Sequence, residues 1–354
     1  MKKLKIGIIG VGNIAGWSHI PSYQANPDVE LAAFCDINET RLKEMGEKHG
    51  VTHLYTDVHE MVKNEELDAV SVCTWNCAHA ECTIAALNAG IHVLCEKPMA
   101  MNAQEAQAMI DAAKKNGKLL MIGFVRRYGN DMDVLQEFVQ SGFFGDLYYA
   151  KANYIRRHGN PGGWFGDKAR SGGGPLIDLG VHVIDFVRYA LGNPKPVSVY
   201  GATFHKLGNR PNVKRSGGWS SSDKSNNDIC DVEDLATAMI RFDNGAVLNV
   251  ETSFSLNVDG ERGCIELFGD KAGVKIDPEL KLFSELNGYM TDIELKYPTS
   301  IDFGDFFKKE INHFVDCIHG NCECRSPAED GYEMMRILDA VYESAKTGHE
   351  VVLD

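Results

Sequence analysis

Residues 4–15 read LKIGIIGVGNIA, an apolar run that leads into the glycine-rich stretch Gly10-Val11-Gly12-Asn13-Ile14-Ala15. The run predicts a buried β-strand, and residues 14–24 have the pattern of a helix that follows it directly. In such a unit the first glycine permits a tight turn, and the second lets the backbone approach a pyrophosphate. The small residue in the third position allows the helix to pack closely on the strand. The stretch therefore predicts a dinucleotide-binding βαβ unit.

The pattern continues through the first third of the chain. Further apolar strands are predicted at 29–35, 67–73, 92–95 and 119–122, and helices at 38–47, 79–88 and 102–115. Regular alternation with uninterrupted apolar strands is typical of a parallel sheet that is covered on both faces. We therefore expect an α/β fold that begins with a doubly wound Rossmann domain over residues 1–123.

Asp36 is predicted to end the second strand. A carboxylate at this place accepts hydrogen bonds from the adenosine ribose hydroxyls and repels a 2′-phosphate, which favours NAD over NADP. Arg41 leaves NADP open, because its guanidinium could compensate for that repulsion. An aspartate that merely caps the next helix is the structural alternative. The expected cofactor-binding residues of this region are Gly10, Gly12, Asn13, Ile14, Asp36 and Arg41.

After residue 123 the pattern changes to longer, alternating segments. Strands are predicted at 147–154, 196–203, 235–242, 246–255 and 262–268, with a hairpin turn at Asp243-Asn244-Gly245-Ala246. Helices are predicted at 131–140, 305–318 and 327–346. We expect residues 124–354 to form an α+β domain with an open, mostly antiparallel sheet that binds substrate and mediates oligomerisation.

Composition excludes several classes of protein. Lys plus Arg number 36 against 50 Asp plus Glu, a net charge of −14, which disfavours binding to nucleic acid or to an anionic membrane surface. No apolar run approaches the roughly 18 residues of a membrane helix. The 10 cysteines lie mostly inside strand or helix patterns, so we expect them to be reduced and the protein to be cytoplasmic.

Three further stretches carry a family resemblance: residues 91–99 (IHVLCEKPM), 123–128 (GFVRRY) and 172–185 (GGGPLIDLGVHVID). With the glycine motif they resemble the glucose-fructose oxidoreductase/inositol 2-dehydrogenase (Gfo/Idh/MocA) family, over nearly the whole chain. The resemblance implies an NAD-dependent dehydrogenase that transfers a hydride between a nicotinamide and the hydroxyl-bearing carbon of a sugar, sugar derivative or cyclitol. It also implies a homodimer or homotetramer. The cofactor-binding residues that it implies are Glu96 and Lys97 in the first stretch and, before that stretch, Thr74, Asn76 and His79.

The catalytic residues implied by the resemblance are Lys97, Asp178 and His182. Lys97 follows a strand at its C-terminal end, where ligands bind in doubly wound folds. Asp178 and His182 are spaced i, i+4 on an otherwise apolar helix, with Asp185 at i+7. In this hypothesis His182 takes the hydroxyl proton and Lys97 hydrogen-bonds the same oxygen, although either of the two could be the base. A core histidine paired with Asp178 is the alternative; we expect no metal on this helix.

Substrate contacts are expected from residues that cluster before and beside that helix. A polyhydroxylated ring needs hydrogen-bonding groups and an apolar face, and the neighbouring arginines would suit a carboxylate. Solvated arginines, or arginines paired with acids of another subunit, are the alternative. Asp231, Glu233 and Asp234 could also reach the site, although charge at a strand edge is the simpler interpretation. The expected substrate-binding residues are Arg127, Tyr154, Arg156, Arg157, Trp164, Asp178 and His182, with His158 nearby.

Two other activities fit the same residues. An NAD-dependent glycosidase, which oxidises, eliminates, hydrates and re-reduces without net redox change, would use the same three catalytic side chains. A non-catalytic sensor that only binds nucleotide is the other alternative. The intact proton-transfer residues argue against it.

Near the C-terminus, His313, Cys317, His319, Cys322 and Cys324 form a further cluster in sequence. Their spacing does not match a structural zinc site of the C-x-x-C type. We expect reduced cysteines around a helix end and no bound metal.

Overall fold

The structure is a computed structural model of the chain, and it describes residues 3–210, 213–214, 220–225, 228–276 and 279–353. The fold divides the chain into two units. The first unit comprises the described residues up to Val125 together with Gly304–Met335. The second unit comprises Arg126–Phe303 together with the described residues from Arg336 onward. The first unit therefore contains a segment that is distant in sequence.

The first unit is built on a parallel sheet of six strands. The strands are β1 (Leu4–Ile9), β2 (Val29–Cys35), β3 (His53–Tyr55), β4 (Ala69–Val72), β5 (His92–Glu96) and β6 (Leu120–Gly123). Their order across the sheet is β3-β2-β1-β4-β5-β6, and every neighbouring pair is parallel. β4 and β6 are buried along their whole length, as in a sheet covered on both faces. The predicted doubly wound Rossmann fold is confirmed.

Helices connect these strands, and capping residues set several of their ends. They are α1 (Ile20–Gln24), α2 (Glu39–His49), α3 (Val58–Asn64), α4 (His79–Asn88) and α5 (Ala103–Asn116). The Asn38 side chain accepts a hydrogen bond from the Arg41 N–H at the start of α2, and Asn102 accepts one from Glu105 at the start of α5. Gly50 and Gly117 end the same two helices in the left-handed conformation.

The second unit contains a mixed sheet of nine strands. The strands are β7 (Leu147–Ile155), β8 (Pro196–Phe204), β9 (Leu235–Phe242), β10 (Val247–Ser253), β11 (Arg262–Gly269), β12 (Ala272–Ile276), β13 (Lys281–Leu286), β14 (Tyr289–Glu294) and β15 (Val351–Val352). Their order is β14-β13-β12-β11-β7-β10-β9-β8-β15. Only the β7–β10 pair among these described strands is parallel, so the prediction of an open, mostly antiparallel sheet is confirmed.

The turns of this sheet follow their sequence signals. The predicted turn before Ala246 joins β9 to β10, with Gly245 at a φ of +88°. A second hairpin, between β13 and β14, was not predicted. It turns at Asn287 and Gly288, both of positive φ, and Asn-Gly is a strong hairpin signal that was available in the sequence.

Three helices of the second unit lie between β6 and β8 in the chain. They are α6 (Asn130–Gln140), which packs on α8, α7 (Lys168–Ser171), and α8 (Val181–Ala190), which lies on the buried face of the sheet. α8 packs on β7, β10 and β11, whose inward residues include Ala150, Leu248 and Ile265. Two long helices follow, α9 (Phe303–Ile318) and α10 (Ala328–Thr347). Within the part of the chain that is described, no helix is both long and apolar enough to span a bilayer.

Candidate active site

The turn after β1 requires glycine at its first position. Gly10 has a φ of +85°, and a Cβ there would lie 2.6 Å from the carbonyl oxygen of Cys73, just beyond β4. Gly12 is partly exposed and Asn13 is exposed, and the π-helical turn Ala15–His19 follows. This is the position at which the N-terminal end of a helix favours a pyrophosphate.

The Asp36 carboxylate closes this turn from the end of β2. It accepts hydrogen bonds from the backbone N–H of Val11 at 2.9 Å and of Asn38 at 2.8 Å. Since a carboxylate offers about four lone-pair positions, these two bonds leave acceptor capacity for the hydroxyls of a ribose. Asn38, not Asp36, caps α2, and the Asp36 side chain is tied to the glycine turn.

Arg41 lies on the same side of the first unit, in the first turn of α2. Its Nη1 atom is 3.9 Å from where a Cβ on Gly12 would be. The guanidinium thus flanks the glycine turn. A cation at this position is compatible with a phosphate group of either dinucleotide.

The segment after β4 holds the predicted residues Thr74, Asn76 and His79. Asn76 and His79 are buried, and Thr74 is partly exposed. The His79 ring lies between two carbonyl oxygens, with Nδ1 at 2.7 Å from that of Pro98 and Nε2 at 3.2 Å from that of Thr74. Burial lowers the pKa of His79 and outweighs these hydrogen bonds. His79 therefore fixes the position of the Pro98 backbone.

Glu96, at the end of β5, is held by a chain of buried side chains that the sequence analysis did not identify. His19 Nε2 lies 2.8 Å from Glu96 Oε1, and His19 Nδ1 lies 3.1 Å from the Ser71 hydroxyl. The Tyr23 hydroxyl reaches the same Ser71 oxygen at 2.8 Å. Burial opposes ionisation of Glu96, but the His19 hydrogen bond and the charges of His19 and Lys97 outweigh it and lower its pKa.

Lys97 follows directly, and its own backbone is tied to this chain. Its N–H donates to Glu96 Oε2 at 3.2 Å, and the Lys97–Pro98 peptide bond is cis. The lysine side chain is half-buried at the C-terminal end of β5, the edge at which ligands bind in doubly wound folds.

In the second unit, Asp178 and His182 lie on one continuous helical segment. Asp178 is in the π-helical turn Leu176–Gly180, and His182 is in the first turn of α8. Both are half-buried, while the residues around them are nearly all buried. A π-helical turn is frequent at functional sites, because it shifts the side chains that follow it relative to the regular spacing.

The start of this segment is anchored by Glu233. Its carboxylate accepts hydrogen bonds from the N–H of Gly174 at 3.0 Å and of Leu176 at 3.1 Å, and the Tyr342 hydroxyl donates to it at 3.0 Å. A Cβ on Gly173 would lie 1.9 Å from that hydroxyl, which explains the need for glycine. Glu233 thus holds the backbone of the segment that carries Asp178.

Neighbouring acids act in the same way. Asp228 accepts from the N–H of Gly163, and Asp231 from that of Lys168 at 2.7 Å. Asp234 accepts from three successive N–H groups, of residues 206–208. The interpretation of Asp231, Glu233 and Asp234 as strand-edge charges is therefore wrong, because their carboxylates anchor backbone segments.

Arg127, a predicted substrate ligand, is instead buried inside the second unit. Its Nε and Nη2 atoms donate to the Asp185 carboxylate, at distances of 2.6 to 3.1 Å, and its guanidinium stacks over the Tyr189 ring. The side chain is 0% exposed. This paired arrangement neutralises a buried charge, so we leave Arg127 out of the proposed substrate site.

The remaining substrate candidates lie close together along the chain. The Arg156 guanidinium sits over the Tyr154 ring at 5.2 Å and donates to the Gly159 carbonyl oxygen, whereas Arg157 is exposed. Trp164 is partly exposed in a short helical turn. Tyr154, Arg156 and Trp164 thus combine aromatic faces with a guanidinium, as a site for a polyhydroxylated ring requires.

Comparison with known proteins agrees with this geometry. Residues 4–124 match the family model described as "Oxidoreductase family, NAD-binding Rossmann fold", and residues 136–353 match its C-terminal alpha/beta domain. A D-glucoside 3-dehydrogenase of Escherichia coli is 36% identical, over 99% of this chain and 97% of its own. A myo-inositol 2-dehydrogenase of Thermotoga maritima is 32% identical over 99% of each chain.

A solved structure is also similar. The aldose-aldose oxidoreductase of Caulobacter crescentus, complexed with glycerol, superposes with a TM-score of 0.80 at 28% identity, over 99% of this chain and 100% of its own. Together with the two family models, these similarities confirm the predicted resemblance. The chain is an oxidoreductase with an NAD-binding Rossmann domain, and it belongs to the GFO/IDH/MocA family.

Proposed function

We propose that this chain is an NAD-dependent dehydrogenase of a sugar, sugar derivative or cyclitol. The observation that carries the proposal is the pair Asp178 and His182, the half-buried acid and imidazole on a helical segment that is otherwise buried. An acid and an imidazole that stay partly accessible on an otherwise buried helix can exchange protons with a ligand. The names of the curated relatives, dehydrogenases of a glucoside and of myo-inositol, support this reading.

The preferred coenzyme is NAD. The Asp36 carboxylate is fixed by the N–H groups of Val11 and Asn38 at the edge of the glycine turn. A fixed negative charge there attracts ribose hydroxyls and repels a 2′-phosphate. The other predicted contacts, from the glycine turn and from residues 74–79 and 96–97, complete the proposed coenzyme site.

Catalysis in this proposal is a proton transfer coupled to loss of a hydride. When bound, NAD⁺ supplies the hydride acceptor at C4 of its nicotinamide. His182 takes the proton of the substrate hydroxyl, so that the carbinol becomes a carbonyl, and Asp178 orients the imidazole or the substrate. Lys97 donates a hydrogen bond to the same oxygen and stabilises the charge that develops on it. In the reverse assignment Lys97 is the base and His182 the hydrogen-bond donor.

The substrate class follows from the side chains near the catalytic segment. Tyr154 and Trp164 offer aromatic faces to a ring, and Arg156 offers donors to its hydroxyls. The exposed Arg157 next to Arg156 also suits a sugar acid. The panel of candidate substrates therefore includes uronic acids alongside inositols, aldoses and glycosides.

The direct test is NADH formation by the purified full-length chain with NAD⁺ and this panel. We expect turnover with at least one member, and its loss by a factor of about 100 to 10,000, the usual range for general acid–base catalysis, in His182→Asn and Lys97→Ala. NAD⁺ affinity should be nearly unchanged in His182→Asn. The pH profiles of the two variants identify the base, because only its removal abolishes the alkaline rise in rate. Full activity of both variants contradicts the assigned roles.

Two outcomes would instead support the alternatives. Cleavage of an aryl glycoside at catalytic NAD⁺, with no net NADH, favours the redox-neutral glycosidase. Tight NAD⁺ binding without turnover of any sugar or glycoside favours the sensor.

We further propose that a second copy of the chain covers the outer face of the second unit's sheet. Tyr200 and Met239 are register partners on β8 and β9 and are 52% and 43% exposed, and the stacked rings of Tyr149 on β7 and Phe268 on β11 lie on the same face. Apolar side chains grouped on an open sheet mark an association surface. Light scattering of the purified chain should give a dimer or tetramer.

We also propose that the protein works in a reducing cytosol, because no disulfide joins its described cysteines.

A further inference from the structure

Three metal-ligating side chains meet where α9 ends and the chain turns toward α10, and a fourth, Cys324, lies beside one of them. Cys317 Sγ lies 3.3 Å from His313 Nε2 and 3.6 Å from Cys322 Sγ. Cys322 Sγ lies 3.5 Å from His313 Nδ1, and the Cys324 thiol is hydrogen-bonded to Cys317. Ligand atoms of His313, Cys317 and Cys322 all fall within 4.8 Å of one another.

The backbone brings these residues together although their spacing is unusual. His313 and Cys317 are one turn apart on α9, and Gly320, with a φ of +74°, ends the helix. The chain then folds back, so that the N–H of Arg325 donates to His313 Nε2 at 2.9 Å. This return places Cys322 and Cys324 over the last turn of α9. Sequence spacing alone, from which we expected no metal, does not reveal this return.

The distances match the edges of a tetrahedral metal centre. With metal–sulfur bonds of about 2.3 Å and metal–nitrogen bonds of about 2.0 Å, two thiolates lie about 3.8 Å apart and a thiolate and an imidazole nitrogen about 3.5 Å apart. The cluster has an edge of 3.6 Å between the sulfurs of Cys317 and Cys322 and an edge of 3.3 Å between Cys317 Sγ and His313 Nε2. We propose that Cys317, Cys322, Cys324 and His313 bind a structural zinc ion.

The donor set selects the class of metal. Three thiolates and an imidazole are soft to borderline ligands, which favour zinc over the oxygen-seeking magnesium and calcium ions. Each thiol that coordinates releases its proton to solvent. The lone pair of His313 Nε2 accepts a hydrogen bond from the Arg325 N–H. This nitrogen would bind the cation, which would replace that hydrogen bond. Four protein ligands leave no position for substrate, so the role is structural and separate from the proposed catalysis.

The position of the cluster explains what a metal would stabilise. Immediately after Cys324 and Arg325, the carbonyl oxygen of Ser326 accepts from the N–H of Ile122 on β6 at 2.9 Å, and Pro327 bridges to Met121. Further along the chain, Gly331 packs against Met99, because a Cβ added to Gly331 would lie 2.7 Å from the Met99 sulfur. A metal would therefore fix the turn that docks this distant segment onto the parallel sheet.

The test is the metal content of the full-length chain, purified without chelators from zinc-supplemented cells and measured by mass spectrometry of the elements. We expect about one zinc per chain, and less than about 0.1 in the double variant Cys322→Ser/Cys324→Ser, since removing two of four ligands abolishes structural zinc binding. Cys264→Ser, on β11 of the second unit, is the matched control and should retain the metal. If the double variant does not fold, the single variant Cys322→Ser replaces it in the experiment, because Cys322 is exposed and its replacement should leave the fold intact. Circular dichroism checks the fold of each variant.

A second measurement gives a spectroscopic readout. Titration of the metal-stripped, reduced chain with Co²⁺ should produce thiolate-to-cobalt absorption in the wild type and in Cys264→Ser, but not in the double variant. A wild-type chain without zinc and without this absorption overturns the proposal. So does zinc that the double variant retains. An intact mass two hydrogens lower under non-reducing conditions would reveal a disulfide in its place.

Discussion

His19 and Glu96 form a buried hydrogen-bonded pair inside the first unit, with 2.8 Å between Nε2 and Oε1 and side chains that are 0% and 8% exposed. The histidine comes from the π-helical turn after the glycine motif, and the glutamate directly precedes Lys97. The pair therefore links the proposed coenzyme turn to the proposed catalytic lysine.

Removing His19 should leave the Glu96 carboxylate buried without its principal partner. For His19→Ala we expect a loss of about 3–5 kcal/mol in the free energy of unfolding, the usual consequence of breaking a buried pair. Urea denaturation at pH 7 measures it. His59→Ala, which removes an exposed histidine near Glu81, is the control and should cost less than about 1 kcal/mol. Equal losses in the two variants would show that the buried pair is unimportant.

Stability should fall as the pH is lowered through the histidine range. Burial lowers the pKa of His79, and burial and then the charge of Lys118 lower the pKa of His92. Both histidines are therefore neutral in the folded chain at a pH where they are protonated in the unfolded chain. Their contribution is complete above the unfolded pKa of about 6.5 and is lost as the pH falls below it. Thermal unfolding between pH 5 and 8 should show this loss, and His79→Gln should flatten it. A profile for His79→Gln that is parallel to the wild type contradicts the assignment.

A second acidic loss belongs to Glu96, whose pKa is lowered in the folded chain by its hydrogen bond and charge interactions with His19, against the effect of burial. Its contribution is present above the unfolded pKa of about 4.3 and disappears as the pH falls through the folded value. Glu96→Gln should therefore be less stable than the wild type at pH 7, and the difference should shrink toward pH 3. A difference that stays constant with pH would rule out ionisation as its source.

Asp36 should control the choice between NAD and NADP. Replacing it by serine removes the proposed acceptor of the ribose hydroxyls, so kcat/KM for NAD should fall 10- to 100-fold, corresponding to about 1.5–3 kcal/mol for a hydrogen bond to a charged group. Activity with NADP should rise, because the repulsion is gone and Arg41 remains. In Asp36→Ser/Arg41→Ala that rise should disappear. An unchanged NAD/NADP ratio in the single variant sinks this assignment.

Glu233 should act on catalysis through the backbone alone. An amide offers a single oxygen, so Glu233→Gln leaves one of the two N–H groups, of Gly174 or Leu176, without its acceptor. The π-helical turn that carries Asp178 is then held less firmly. We expect kcat to fall at least tenfold while the Kd for NAD⁺ stays unchanged. Glu251→Gln, on the exposed side of β10, serves as the control. A change in NAD⁺ affinity of the same size would argue for general unfolding.

Much of this architecture could be predicted because local rules determine it. Gly10 needs a positive φ, Asn38 and Asn102 cap helices, and uninterrupted apolar strands require a covered parallel sheet. The β13–β14 hairpin was equally predictable, because Asn287-Gly288 is a strong hairpin signal.

Contacts between residues distant in sequence could not be predicted. His19 and Glu96 are separated by 77 residues, and nothing in either local pattern identifies the other. Arg127 and Asp185 are separated by 58, so an arginine expected to bind substrate turns out to neutralise a buried acid. For the cysteine cluster, the decisive feature is the return of the chain after Gly320, which ligand spacing does not encode.

The carboxylates of residues 228–233 have one more consequence. Asp228, Asp231 and Glu233 contact Gly163, Lys168 and Gly174 in the same order along both segments, so the two stretches lie side by side like paired strands. The rungs of this ladder are side-chain carboxylates rather than peptide groups. Burial opposes ionisation of Asp228, but hydrogen bonds from Gly163 and Ser225 outweigh it and lower its pKa, so the Asp228 rung weakens once that carboxylate is protonated. Acid can therefore loosen one end of the ladder that leads to the proposed catalytic helix, while the peptide hydrogen bonds of the neighbouring sheet do not titrate.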